Sequence, residues 1–459
     1  MSKQERLPFE LDEKIDGSLV TAHAGVPLVI ELFRSCGAAR ELDSAVATKR
    51  RKRGLEPSEL AEGLFALWLA GGERCEDLDG LREDLALAEL LGHGLPASQT
   101  ARDFLDAFHA EDLPLLQQGE HSQVPAESAP LAGLSRVNGV LVETMQQRVP
   151  QRTATLDVDA TVLESAKRAA QRTYDGRHGY QPVLVVWAEA DVIVTDEFRD
   201  GNVPAGSGNL RVVRKALQAL PEGIERVLLR ADSALYEQPL LAELDTEGVG
   251  FAISADISRP LRAAIEALPE HAWQVEAHDR DAVRSWAEVA YVPDDGHFNK
   301  HAPVRHRYLA LRVLKRQGSL FADGSDRKHF CIVTNREGDG LELIRWHRGK
   351  AGTIEHIHHV LTNELAAEAL PSQNFGANAA WVRLNVLLYN LLSLLKRIGL
   401  PPAFHTARPK RLRFLIFNVV GRVIRHGGET LLRLACALRR RLFDAIRLAI
   451  PPPPRLAGE

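Results

Sequence analysis

A mixed α/β sheet, preceded by a helical region and interrupted by a β-rich insertion, is what this chain's patterning predicts. Three observations carry that expectation. "RTATLDVDATVLE" alternates strictly, with Leu156, Val158, Ala160 and Val162 on one face and Thr155, Asp157, Asp159 and Thr161 on the other, which is the period of a strand. Short apolar runs and amphipathic helical runs then follow one another: "YQPVLVVWAE", "DVIVTDEFRDG", "SGNLRVVRKALQAL", "ERVLLRADSALYE", "QPLLAELDTEG" and "VGFAISAD". Strand, strand, strand, helix, strand, helix, strand reads as an antiparallel meander extended by parallel strands through helical crossovers.

Before this unit, residues 1–150 read as a helical domain. "SELAEGLFALWLAGG" and "CEDLDGLREDLALAELLG" carry apolar residues at helical spacing, and Ser98 and Thr100 in "PASQTARDFLDAF" mark a further helix start. "QQGEHSQVPAESAPLAG" reads as a linker. Residues 151–254 form the first part of the sheet unit. Residues 255–335, with "RSWAEVAYVP", "RHRYLALRVLKRQG" and "RKHFCIVTNR", read as a β-rich insertion. Residues 336–400 return to helix. "NAAWVRLNVLLYNLLSLLKRIG" is long and largely apolar, yet Arg383, Asn385 and Asn390 argue against a membrane span. Residues 401–459 form a basic C-terminal tail ending in the stiff "PPPP".

Composition is that of an ordinary soluble protein: 459 residues, 45% hydrophobic, 26% charged, net charge −4. The start "MSKQERLPFELDEKIDG" lacks the apolar segment of a signal peptide. Cys36, Cys75, Cys331 and Cys436 form no CxxC pair, so neither a zinc ribbon nor a disulfide framework is expected, and a cytoplasmic location is. Charge is uneven, however. Eleven basic residues lie between Arg408 and Arg447, among them Lys410, Arg411 and Arg413, against two acids, Glu429 and Asp444, and "KRRKRG" stands at 49–54. Such stripes suit phosphate contact, and a solvated arginine face is the alternative.

Carboxylates supply the candidate chemistry. Asp157 and Asp159 share one strand face, where neighbouring like charges repel unless a cation intervenes. A divalent ion accounts for them, as does an exposed strand face. Asp232 follows an apolar strand, at the end where α/β sheets gather ligand groups; it could equally cap the next helix. Glu355 lies in "GTIEHIHHVLTNEL" on a helix whose buried stripe is Ile354, Ile357, Leu361 and Leu365. His356, His358 and His359 offer no i, i+4 histidine pair, so zinc is disfavoured against a cation that takes oxygen ligands.

The ordered set "LDVDATVLES", "GYQPVLVVWAE" with "FRDGNVPAG", "LRADSALY" and "RGKAGTIEHIHHVLTNELAAEALPSQNFGANAAWVRLNVLLYNLL" resembles the DDE transposases of the IS1380 family of bacterial insertion sequences. "LAGGERCEDLDGLREDLALAELLG" resembles that family's N-terminal region. The resemblance covers most of the chain. It implies an RNase H-like catalytic core in which three acids bind two divalent metals, Mg²⁺ with Mn²⁺ substituting. Carried onto this sequence, the acids are Asp159, Asp232 and Glu355, with Asp157 as an assisting or replacing ligand. Asp159 is favoured by the D-small-Thr pattern of "DAT".

The implied activity is binding of the element's ends, metal-dependent strand cleavage and strand transfer. The implied partners are double-stranded DNA, as terminal inverted repeats and target, and a second protomer in the synaptic complex; no membrane partner is implied. A lapsed or domesticated DNA binder of the same fold is the alternative. Relatives usually carry a lysine where this chain has Thr362, which can donate a hydrogen bond without charge. Arg348 and Lys350 are the nearest candidates for phosphate contact. Trp286, Trp346 and Trp381 are candidates for base stacking or for core burial.

Overall fold

In the computed structural model, residues 18–46, 54–118, 123–293, 306–316 and 320–450 are described. Most of "KRRKRG" and the whole of "PPPP" lie outside them. The helices are α1 (Val26–Ser35), α2 (Ala38–Ala45), α3 (Pro57–Ala70), α4 (Asp77–Leu81), α5 (Leu85–Leu91), α6 (Ser98–Asp106), α7 (Ala129–Arg148), α8 (Asn209–Gln218), α9 (Gln238–Thr246), α10 (Arg259–Glu266), α11 (Gly340–Arg348), α12 (Ile354–Glu364), α13 (Phe375–Gly399), α14 (Pro409–Leu412) and α15 (Ala437–Ala449). The principal strands are β1 (Thr153–Ala160), β2 (Val183–Trp187), β3 (Val192–Glu197), β4 (Arg226–Ala231), β5 (Gly250–Ser254), β6 (Gln274–His278), β7 (Ala282–Val289), β8 (Arg307–Lys315), β9 (Arg327–Thr334), β10 (Gly421–His426) and β11 (Glu429–Leu434).

Strands β1 to β9 make one nine-stranded sheet in the order β6-β7-β8-β9-β5-β4-β1-β2-β3. β1 is central. Antiparallel β2 and β3 lie on one side, and parallel β4 and β5 lie on the other. That arrangement is an RNase H-like core, as the resemblance implies. The insertion does not stand apart from it. β9 pairs antiparallel with β5, Ala252 opposite Thr334, and β8, β7 and β6 continue the same sheet. An exposed edge at β5 is thereby covered, which removes an aggregation template.

Helices α7 and α13 pack on each other and on β3. β3 carries one extra residue, Val194, between Thr195 opposite Val185 and Ile193 opposite Val186. The carbonyls a bulge strands there are taken by Asn138, which donates to Ile193 and Val194 at 3.0 Å. Asn390 of α13 binds both Asn138 and the two backbone groups of Ile193 at 2.8 Å. The polar residues that argue against a membrane span are thus consumed inside the core, and no described helix is long and apolar enough to cross a membrane. Arg383 likewise reaches buried Asp196 at 2.9 Å and Glu127 at 2.8 Å. Trp381 is buried edge-on against Trp68, their ring centroids 4.7 Å apart, and Trp286 is buried in a second cluster between the sheet and α11.

The basic region after α13 is folded rather than extended. β10 and β11 form a hairpin, and the short strand Val20–Thr21 pairs with β10. α15 packs on α13 and α1, burying Phe443 and Ile446. Two arginines of this basic region end on acids of the helical region, Arg425 of β10 on Glu89 and Arg447 of α15 on Glu31.

One partly buried acid shapes the pH response. Asp200, after β3, has its pKa pushed up to about 6 by burial. Its folded pKa exceeds its unfolded value, so the stability it allows is present at acid pH and is lost as pH rises from about 4 through about 6. Asp200→Asn is therefore expected to stabilise the protein at pH 7 by about 2 kcal/mol and to flatten urea midpoints across that window. Parallel pH profiles for the two proteins would remove this account.

Candidate metal and phosphate site

Asp159 and Asp232 come together because β1 and β4 are parallel neighbours, with Val158 opposite Ala231. One residue further the two strands no longer pair with each other, at the carboxyl end of β4, where the sheet opens. Asp232 Oδ1 accepts from the Ala234 N–H at 3.0 Å and caps the turn Ser233–Leu235, so the capping role and the cleft position coexist. The two aspartates line a cleft of about 470 Å³ with Gln181, Asn209, Glu237 and Asp256. Four carboxylates in one cleft create a strongly negative field.

Lys350 is the nearest cation, its Nζ 3.5 Å from Asp159 Oδ2. Burial raises the pKa of Asp159; Lys350 opposes that shift and Asp232 adds to it. Lys350 thus supplies a positive charge beside Asp159, which a carboxylate next to a second one calls for.

Asp157 behaves differently. Its side chain is fully buried, and Arg230 grips it with two bonds, Nε to Oδ1 at 2.6 Å and Nη2 to Oδ2 at 2.7 Å. Thr353 also donates to Oδ2. The suggested assisting metal ligand is thus committed to an internal ion pair. The exposed-face reading fails here as well, since Thr155 and Asp157 are covered. Arg230 lies directly opposite Asp157 in register, gives its third bond to the Trp346 carbonyl at 2.7 Å, and its guanidinium faces the Trp346 ring at 5.3 Å. Trp346 is therefore packed under arginine rather than presented to a base. The pair ties β1 and β4 to α11 and to the start of α12. Gly349, between those helices, has no room for a side chain: a Cβ there would lie 2.6 Å from Arg230 Nη1. Sequence reasoning missed Arg230, although an arginine closing the apolar run "VLLRA" was a signal.

Glu355 sits in the first turn of α12, which packs over β1. Asp159 and Asp232 stand together at the cleft, and Glu355 is exposed on α12; among the described residues, no three His, Cys, Asp or Glu side chains converge closely enough to hold an ion. His356 and His359 are exposed. His358 is buried, its pKa pushed down to about 4 by burial with Lys350 adding, and neither ring nitrogen has a partner.

The phosphate-contact candidates divide. Arg348 is paired with Glu276. The Thr362 hydroxyl donates back to the His358 carbonyl at 2.9 Å, within its own helix. Arg413 is turned inward to the carbonyls of Trp68 and Glu364, the first at 2.9 Å, so it is a structural tie rather than a surface contact. Lys410 and Arg411 are exposed, Arg411 lying 5.5 Å from the Phe404 ring centroid.

With the geometry set out, comparison with known proteins adds the following. The profile described as transposase DDE domain group 1 matches residues 8–449. A piggyBac transposase synaptic complex with hairpin DNA is similar over 94% of this chain and 86% of that one, with 11% identity and a TM-score of 0.45. A Mos1 mariner paired-end complex with Mn covers 44% of this chain and 61% of its own, with 15% identity and a TM-score of 0.17. No curated protein matches the chain.

Proposed function

The chain belongs to the DDE transposase domain family, and from that premise we propose that it binds the ends of its own insertion sequence and catalyses metal-dependent strand cleavage and strand transfer. The observation that supports this reading best is the convergence of Asp159 and Asp232 in a four-carboxylate cleft, with Lys350 beside Asp159. DNA is a polyanion and would be repelled by that cleft unless cations neutralise it. The donor set fits a hard divalent ion such as Mg²⁺, with Mn²⁺ substituting, because every ligand is a carboxylate oxygen. Asp159 and Asp232 would hold it, and Glu355 would complete the set. When bound, it stabilises the charge that builds on the attacked phosphodiester.

The chain's own residues then have separate tasks. Asp232 is held in its rotamer by the Ala234 N–H. Lys350 gives up Asp159 and turns to a phosphate oxygen. The Asp157–Arg230 pair keeps α11 and α12 seated on the sheet, which fixes how far Lys350 and Glu355 stand from the aspartates. Thr362 supplies no charge, so backbone grip falls to Lys350 and the exposed Lys410 and Arg411. Pairing of two ends calls for at least two protomers in the synaptic complex.

The test is strand cleavage on duplexes carrying the element's flanking ends with Mg²⁺ or Mn²⁺. Wild type is expected to nick, Glu355→Ala is not, and Thr362→Lys is expected to raise the rate. End binding without nicking by wild type would replace this reading with a lapsed DNA binder.

A further inference from the structure

The β10–β11 hairpin has one face toward the protein and one toward solvent. Val423, Leu432 and Leu434 face inward, and Arg425 on the same side ends on Glu89. The outward positions are Arg422, Ile424 and His426 on β10, opposite Arg433, Leu431 and Glu429 on β11. At the tip His426 stands opposite Glu429, a complementary pair. At the base Arg422 stands directly opposite Arg433. Directly opposed side chains in an antiparallel pair start about 5 Å apart, and like charges there are destabilising. Both arginines are exposed, and neither has an acidic partner among the described residues. A surface that needed only solubility has no use for that arrangement; a surface that meets an anion does.

Leu431 is 43% exposed and Val20, beside Arg422 in the neighbouring strand, is 46% exposed, so apolar contacts flank the two charges. The turn residues Gly427 and Gly428 have φ of +60° and +84°, which makes a tight two-residue hairpin. A two-stranded ribbon of this kind fits a DNA groove, and guanidinium forks bind phosphate through two hydrogen bonds.

We propose that the outer face of the β10–β11 hairpin docks on duplex DNA, with Arg422 and Arg433 each holding a backbone phosphate. The inference rests on the DNA-processing reading above and adds to it a gripping surface away from the carboxylate cleft. Acidic protein surfaces share the charge but not the regular spacing of phosphates along a strand that a pair of opposed forks can straddle.

Binding of full-length protein to an end-containing duplex and to a scrambled duplex, followed by fluorescence anisotropy across a KCl series, tests this. Each lost phosphate contact lowers the slope of log K against log salt by about 0.9. Arg422→Ala/Arg433→Ala should therefore flatten the slope by about 2 on both duplexes and weaken binding more than tenfold at low salt, with the thermal midpoint unchanged. Arg422→Lys/Arg433→Lys should keep the slope. An unchanged slope in the folded alanine variant overturns this inference while leaving the function above intact. Loss of self-association in that variant, at constant slope, would assign the face to a second copy instead. A wild type that binds no duplex overturns both.

Discussion

Replacing Asp159 with asparagine is expected to lower strand cleavage by at least about a hundredfold, the scale for losing one charge-stabilising group at a reacting centre, with stability changed by less than about 1 kcal/mol. Burial already disfavours the charged form of Asp159, so neutralising it removes a cost as well as the contact with Lys350. Asp157→Ala should do the reverse in order of cause. It leaves the Arg230 guanidinium buried beside an empty site, a loss of about 3–5 kcal/mol. Cleavage then falls because α11 and α12 lose their seat. Replacing both partners, as in Asp157→Leu/Arg230→Met, should recover most of that stability, because a buried ion pair exchanged for apolar groups of similar size is often neutral. Urea unfolding and nicking assays on the same preparations separate the two effects. A stable, inactive Asp157→Ala beside an active Asp159→Asn would reverse the assignment.

Arg383→Met is expected to destabilise the fold by about 3–5 kcal/mol, as much as Asp157→Ala. Arg383 is fully buried on α13. It bonds both oxygens of Asp196 on β3, Glu127 before α7, and the Leu131 carbonyl within α7 at 2.9 Å. Its removal strands two carboxylates between the sheet and its covering helices. The pH profile should change with it. Burial alone would raise the pKa of Glu127, but Arg383 and Lys215 outweigh burial and hold it at about 2. A depressed folded pKa contributes stability above the unfolded value, near 4, that is lost as pH falls toward 2. In Arg383→Met that acid-side loss should shrink, because Glu127 then keeps only Lys215 as a cationic partner. A variant with wild-type stability at pH 7 and an unaltered acid limb would show that α13 is held by apolar packing alone.

Strand period and helical period in "LDVDATVLE" and the runs that follow suffice for the order of the core, because alternation and 3.6-residue spacing are local properties of the chain. The acids Asp159, Asp232 and Glu355 were legible as candidates, since carboxylates are poor strand formers and stand out at the ends of apolar runs. Depth along the strand was not legible. Asp157 and Asp159 share a face in any strand. Only the register of β1 against β4 sets the first opposite Arg230 and leaves the second past the last position paired with β4, at the cleft. The insertion's strands were visible, but their joining to β5 is a pairing across about 80 residues, and no local signal encodes it. The basic region shows the same limit. Composition counts arginines without regard to where their side chains end. Folding sends Arg413 into carbonyls, pairs Arg425 and Arg447 with distant acids, and leaves Arg422 and Arg433 facing water. Residue chemistry and period are written in the sequence; which charges are neutralised depends on long-range register and packing, and so belongs to the tertiary structure alone.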